Sequence, residues 1–167
     1  MSKMLVLLNK LKAQAASDWL TDSQRSAFDA VCDALRFPET VNLHGPVGSG
    51  KTFLAWTFSR TLVMPYFPSP SAFDERSERP TPQAVVDNAG TGERAVRDLL
   101  AVAQRKGTHT LLFITHSPNE MGFRAIALPA PTPHDFDVVY RNLSLLEHYA
   151  LPPVREGNLW DAIHAVL

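Results

Sequence analysis

Eight consecutive residues, Gly45-Pro46-Val47-Gly48-Ser49-Gly50-Lys51-Thr52, have types and spacing suited to holding an anion. They fit the pattern G-x-x-x-x-G-K-[ST] at every defined position. Glycines let the backbone curl around phosphate oxygens with its N–H groups turned inward. A helix starting directly after the loop aims its positive end at the same anion. Lys51 can then reach the β- and γ-phosphates of a nucleotide, and the Thr52 hydroxyl can ligate magnesium. The bland alternative is a fortuitous glycine turn. A strand expected before the loop and a helix expected after it argue against that.

Such a loop works with an acid at the end of a nearby apolar strand, which holds the magnesium ion. Ala84-Val85-Val86-Asp87 supplies one. Asp87 also reads as a cap or turn residue, since Asn88, Gly90 and Gly92 follow it. The magnesium reading is preferred because no other acid ends such a strand. Many hydrolytic proteins with this loop carry a Glu at the next position to polarise water. Here it is Asn88, which can orient a water but cannot accept its proton. Glu93 is a possible substitute; otherwise turnover is slow or absent. The next apolar strand ends in Thr115-His116-Ser117-Pro118. If it lies between the other two, Thr115 or His116 sits beside the γ-phosphate. His116 fits a simple loop hydrogen bond equally well.

The elements that must position these residues follow from periodicity. Residues 4–16 read as a helix, with Met4, Leu5, Leu8 and Leu11 at helical spacing among Lys3, Lys10 and Lys12. It either packs on its own domain, the preferred reading, or docks a partner. Thr21-Asp22-Ser23-Gln24 fits a capping box, and Ala27, Phe28, Val31, Cys32 and Leu35 form the stripe of the helix that follows. Phe37-Pro38 ends it. A strand at 40–44, the glycine loop and a helix at 51–62 come next. Residues 65–82 hold Pro65, Pro68, Pro70, Pro80 and Pro82 and read as a long loop, with a short strand near 62–67. Then come a strand at 83–87, a helix at 93–105, strands at 109–115 and 123–128, proline-rich 129–133, a helix around 134–150 and a short helix at 159–167.

Strands alternating with helices imply a parallel sheet with helices on both faces. The fully apolar run at 111–114 fits a strand buried on both sides. A chain of 167 residues is about one domain and buries roughly 70% of its unfolded surface. Sixteen Lys and Arg against seventeen Asp and Glu give a net charge of −1, so nucleic acid is a possible partner without support from charge. One cysteine, Cys32, excludes an internal disulfide and a cysteine-built zinc site. The apolar run at 4–8 is too short for an export signal, and nothing approaches a membrane span, so a cytoplasmic location is expected.

With these residues in place, the chain resembles a small P-loop NTPase of the RecA/AAA+ kind. Residues 45–52 match the Walker A motif, Asp87 the Walker B acid, and Thr115 and His116 the sensor position. The resemblance covers about residues 20–130. It implies a three-layer α/β fold around a five-stranded, mostly parallel sheet in the order 5-1-4-3-2, with ATP and Mg2+ as ligands. It also implies one domain: N-terminal helices in 1–39, a nucleotide-binding core in 40–130 and a short helical tail in 131–167. The stretch Leu20-Thr21-Asp22-Ser23-Gln24-Arg25-Ser26-Ala27, ahead of residues 45–52, is similar to the Q-motif entry of superfamily 1 helicases, where a Gln contacts adenine; Gln24 as a helix cap explains it equally well. The chain is too short for a complete helicase. Ile114-Thr115-His116 is similar to the switch histidine of ABC-type ATPases, but no LSGGQ-like signature accompanies it.

A full helical lid is not expected, so a protein partner or self-association would complete the site. Arg124, Arg141 and Arg155 are candidates for an arginine facing the γ-phosphate. The leading expectation is an ATP-binding, slowly hydrolysing switch or motor subunit of a larger assembly. The alternatives are a small-molecule kinase, for which Arg76 and Arg79 would lie over the phosphates, and a scaffold that binds ATP without hydrolysing it.

Overall fold

A computed structural model describes residues 3–75, 80–146 and 156–164 of the chain. The strands are β1 (Thr40–His44), β2 (Tyr66–Phe67), β3 (Gln83–Val86), β4 (Thr110–Thr115) and β5 (Arg124–Ala127). They form one sheet in the order β2-β3-β4-β1-β5, and every neighbouring pair is parallel. Read from the other edge, this is the expected order 5-1-4-3-2. The helices are α1 (Lys3–Ala13), α2 (Asp22–Ala34), α3 (Lys51–Thr61), α4 (Pro70–Glu75), α5 (Glu93–Arg105), α6 (Pro133–Leu146) and α7 (Leu159–His164). A 3-10 turn, Ser17–Trp19, links α1 to α2.

Side-chain alternation along the strands divides the core into two layers. Val41, Leu43, Val85, Leu112 and Ile114 pack against α2 and α3. Ala84, Val86, Leu111 and Phe113 face the opposite way and pack with Phe73 of α4 and Val96, Leu99 and Ala103 of α5. β4 is therefore covered on both faces, and all six of its residues are buried. This is the reason its sequence is a continuous apolar run.

The capping box forms as its residues suggest. The Thr21 hydroxyl accepts from the Gln24 backbone N–H, and the Gln24 side-chain oxygen accepts from the Thr21 N–H. Residues 65–75 are more ordered than a loop. β2 is only two residues long, and α4 follows directly. Ser69 and Pro70 start α4: the Ser69 hydroxyl accepts from the Ala72 N–H at 3.1 Å, and proline suits a first helical position. Phe73 is fully buried against Phe67, with ring centroids 4.9 Å apart. Arg76 and Arg79 lie outside the described residues, as does the expected extension of α6 past residue 146 and of α7 past 164.

The N-terminal helix and the tail form a further layer at one end of the core. Leu7 and Leu11 of α1 pack on Leu143 of α6, with Trp19, Val139 and Ile163 around them. α1 thus packs on its own chain. Asp135 fastens this layer to the core. Although only 1% exposed, its carboxylate accepts from the hydroxyls of Ser23 and Thr132 and from the Thr132 N–H. Burial pushes its pKa up, but these hydrogen bonds outweigh that and hold it below the usual 3.8.

Replacing Asp135 with Asn keeps the shape and removes the charge. It should cost about 1.5–3 kcal/mol, the worth of hydrogen bonds to a charged group. Because the folded pKa lies below the unfolded one, this stabilisation is complete above pH 3.8 and is lost as the pH falls through the folded value. Urea midpoints of wild type and Asp135→Asn should therefore differ near neutrality and converge in acid. A constant difference across that range would refute the assignment.

Candidate functional site

The loop between β1 and α3 is shaped by three glycines, each for a separate reason. A Cβ at Gly45 would lie 2.3 Å from the Leu128 carbonyl oxygen. Gly48 and Gly50 have φ of 78° and 89°, the left-handed region open to glycine at little cost. A Cβ on Gly48 would also meet Asn158, and one on Gly50 the Gln24 amide. Ser49 braces the turn by donating from its hydroxyl to the Pro46 carbonyl at 2.9 Å. The helical ladder begins with Leu54 N–H to Gly50 C=O, so the preceding amides at the start of α3 lie outside it.

Lys51 is 8% exposed. Its ammonium donates to the carbonyls of Gly45 and Pro46, both at 2.7 Å. Desolvation lowers its pKa, and the Asp87 charge opposes that shift. His44, just before the loop, is also held below its usual pKa, by burial and by Lys51. In the first turn of α3, the Thr52 hydroxyl donates to Asp87 Oδ2 at 2.8 Å. Asp87 follows β3 and is 2% exposed. Its Oδ1 accepts the Asn88 N–H at 2.8 Å, and its Oδ2 also accepts from the Tyr66 hydroxyl at 3.3 Å. Burial, then the Asp87 charge, keeps the Tyr66 phenol protonated far above its usual range. The Thr52 and Asp87 oxygens are the donor set a hard divalent cation takes, with phosphate and water completing it.

A cavity of about 370 Å³ opens beside these groups. Its polar wall comprises Val47, Gly48, Gly50, Lys51, Thr52, Asp87, Asn88 and His116. Its apolar wall comes from Leu8 and Leu11 of α1, from Trp19, from Phe53 and Trp56 of α3, from Val139 and Leu143 of α6, and from Leu159, Trp160 and Ile163 of α7. Gln24 also lines it, although its side-chain oxygen is already engaged by Thr21. Gly45, Pro46 and Ser49 stand behind the lining and shape the loop.

The two strand-tip candidates part company. His116 lines the cavity, whereas Thr115 is 1% exposed and turned into the fold. Its hydroxyl accepts from the Asn42 side chain at 2.9 Å and donates to the Ser117 carbonyl at 2.6 Å. Asn88 adopts φ 52° and donates its side-chain amide to the Pro68 carbonyl at 3.0 Å. Glu93 lies outside the lining, paired with Arg97. Arg124 pairs with Glu39 at the sheet edge, Arg141 is exposed on α6, and neither lines the cavity; Arg155 falls outside the described residues. The Cys32 thiol is pushed up to about 11 by burial and by Asp29 and Asp33, which leaves it unreactive near neutrality.

Several residues at the site had no motif to announce them. Tyr66 reaches Asp87 from the adjacent strand. α7 docks on the glycine loop, its Leu159 N–H donating to the Gly48 carbonyl at 2.8 Å. Asn142 of α6 fixes Trp19 by donating to its carbonyl at 2.9 Å. Only the weak apolar pattern of 159–167 hinted at any of this.

The fold is similar to solved structures of DNA replication proteins. One is DnaA from Aquifex aeolicus bound to AMPPCP, with a TM-score of 0.57 and 10% identity over 88% of this chain and 61% of that one. Another is the replication initiator DnaA bound to AMPPCP and single-stranded DNA, with a TM-score of 0.52 and 8% identity over 85% and 58%. A third is a DNA replication initiation factor, with a TM-score of 0.57 and 11% identity over 87% and 60%. The chain thus spans about three-fifths of each structure's length. At these identities the likeness shows the fold alone, an α/β domain around a five-stranded parallel sheet. The chain matches no protein-family model, and no curated protein matches its sequence.

The loop geometry is open to a direct test. Gly50→Ala places a side chain at φ 89° and drives Gln24 from its place. The left-handed backbone alone should cost about 1–2 kcal/mol, read as a lower urea midpoint. A midpoint equal to that of wild type would mean the loop does not hold this conformation.

Proposed function

We propose that the chain binds ATP with Mg2+ in this cavity and acts as a switch or motor subunit of a larger assembly, with slow hydrolysis. The observation that carries the reading is the convergence of Lys51, Thr52 and Asp87 on one wall of a cavity whose other wall is apolar. In this reading Lys51 exchanges the carbonyls of Gly45 and Pro46 for β- and γ-phosphate oxygens. The loop amides and the start of α3 hold the same phosphates. Thr52 and Asp87 hold the magnesium ion, which would neutralise charge gathering on the phosphates. Leu8, Leu11, Trp19, Val139 and Leu143 offer the base and sugar an apolar seat. Gln24 stands at the junction of the two walls.

Slow turnover follows from the residues near the γ-phosphate position. Asn88 can orient a water but cannot take its proton. His116 is the better placed of the two strand-tip residues to meet the γ-phosphate; Thr115 would act by holding the strand tip. No arginine among the described residues lines the cavity. A cation from a protein partner or a second copy would therefore complete the site. The likeness to DnaA bound to single-stranded DNA makes a DNA-associated assembly the setting to test first, although the net charge of −1 adds nothing to it. No described helix is long and apolar enough to cross a membrane, and we infer a single cytoplasmic domain spanning 1–167. Asn88 also favours a second reading, a scaffold that keeps its ATP intact.

Titration with a fluorescent ATP analogue and magnesium tests the site. Lys51→Ala should weaken binding by roughly tenfold or more, the loss of a charge-assisted contact. Undiminished affinity would overturn the site. Phosphate release measured with and without single-stranded DNA separates the two readings. Release that disappears in Asp87→Asn supports the ATPase, and no release under any condition leaves the scaffold.

A further inference from the structure

We propose that Tyr66 is a positioning residue for Asp87: its hydroxyl holds the carboxylate in place while Thr52 turns from Asp87 to the metal. The inference rests on the magnesium-dependent ATP site proposed above and adds to it a residue that no motif marks.

The argument begins with the sheet. β2 and β3 are parallel, with Tyr66 opposite Val85 and Phe67 opposite Val86. Side chains two apart on a strand share a face, so Tyr66, Val85 and Asp87 point to the side covered by α3. Tyr66 and Val85 accordingly belong to the core layer that includes Leu54 and Phe58 of α3. From that position the phenol reaches diagonally to Asp87 two residues along, and its oxygen lies 3.3 Å from Oδ2. The Asp87 backbone is tied to the same strand, its N–H donating to the Phe67 carbonyl at 2.9 Å.

The three hydrogen bonds to Asp87 have different fates on metal binding. The Asn88 N–H on Oδ1 is a backbone contact to the next residue. The Thr52 hydroxyl on Oδ2, at 2.8 Å, belongs to a side chain that the proposed site assigns to the metal. When Thr52 turns to the metal, Tyr66 remains the donor on Oδ2. Its contact is the longer of the two before Thr52 leaves, as expected where two donors share one oxygen.

The tyrosine ring is itself held. Trp56 of α3 meets it edge to face at 6.5 Å, and the Lys12 ammonium of α1 lies 5.6 Å from its centroid and 5.8 Å from that of Trp56. Tyr66→Phe preserves all of these ring contacts and removes only the hydroxyl. The substitution therefore isolates the hydrogen bond from the packing.

The test measures binding of a fluorescent ATP analogue against magnesium concentration, and again in EDTA, for wild type and Tyr66→Phe, with thermal melts of both. Outer hydrogen bonds to metal ligands are typically worth 10–100-fold in metal affinity, so the half-saturating magnesium concentration should rise by about tenfold or more. Affinity in EDTA should stay within about twofold and melting close to wild type, because the variant leaves loop and core unchanged. An unchanged magnesium requirement would overturn the role. Equal losses with and without magnesium would overturn it too, since they mark a residue that only supports the fold. If wild type binds the analogue in no condition, or binds it without regard to magnesium, the proposed site falls and this role with it. A magnesium-dependent wild type beside an indifferent Tyr66→Phe removes only the role of Tyr66.

Discussion

A lysine ammonium withdrawn from water needs oxygen partners, and Lys51 finds them in the carbonyls of Gly45 and Pro46. This requirement fixes much of the surrounding structure. The carbonyls can turn toward the amine only if the loop doubles back, which demands left-handed backbone at Gly48 and Gly50. The loop can double back only if β1 delivers it at the C-terminal end of the sheet and α3 receives it at once. Gly45 passes so close to the Leu128 carbonyl that no side chain fits there. The arrangement satisfies the buried cation and leaves it exchangeable. Neutral carbonyls are weaker partners for an ammonium than phosphate oxygens, so an anion in the cavity can draw Lys51 away from them.

The second constraint is the double burial of β4. With β3 on one side and β1 on the other, all strands being parallel, the C-terminal ends of the three emerge together. Those ends carry Asp87, His116 and the glycine loop. Most of this was legible in the residues. The loop is a contiguous pattern, the apolar run of β4 states its own burial, and Asp87 closes a run of the same kind. The strand order came from family resemblance, because a β-strand pattern says which face is buried and not which strand lies beside it. The division between Thr115 and His116 was not legible for a related reason. It depends on Asn42, a buried polar residue in the middle of β1 that claims the Thr115 hydroxyl and the Asn119 N–H. Its partners are 73 and 77 residues away in sequence.

The ends of the chain show where local patterns run out. Residues 1–39 and 131–167 read as accessory helices, and periodicity described each one well enough. It could not reveal that α1, α6 and α7 meet one another across the mouth of the site. Leu8 and Leu143 are ordinary stripe residues in their own helices and become a cavity wall only when juxtaposed. α4 was hidden differently. Its start signal, Ser69-Pro70, was submerged in a proline-rich stretch, although proline at a first helical position favours a helix as readily as proline elsewhere breaks one.

The two walls of the cavity therefore have different structural origins. The polar wall is built at the C-terminal ends of β1, β3 and β4, each of which has a neighbouring strand on both sides. Apart from Phe53 and Trp56 of α3, the apolar wall belongs to a thinner layer, fastened to the core by Asp135 between α2 and α6 and by the Leu159 N–H on the Gly48 carbonyl. The second fastening ends on the glycine loop itself. Any ligand that draws the loop backbone toward its oxygens changes the carbonyl on which α7 rests, and α7 carries Trp160, Leu159 and Ile163 of the opposite wall. The two halves of the cavity thus meet directly at the Leu159 N–H and the Gly48 carbonyl.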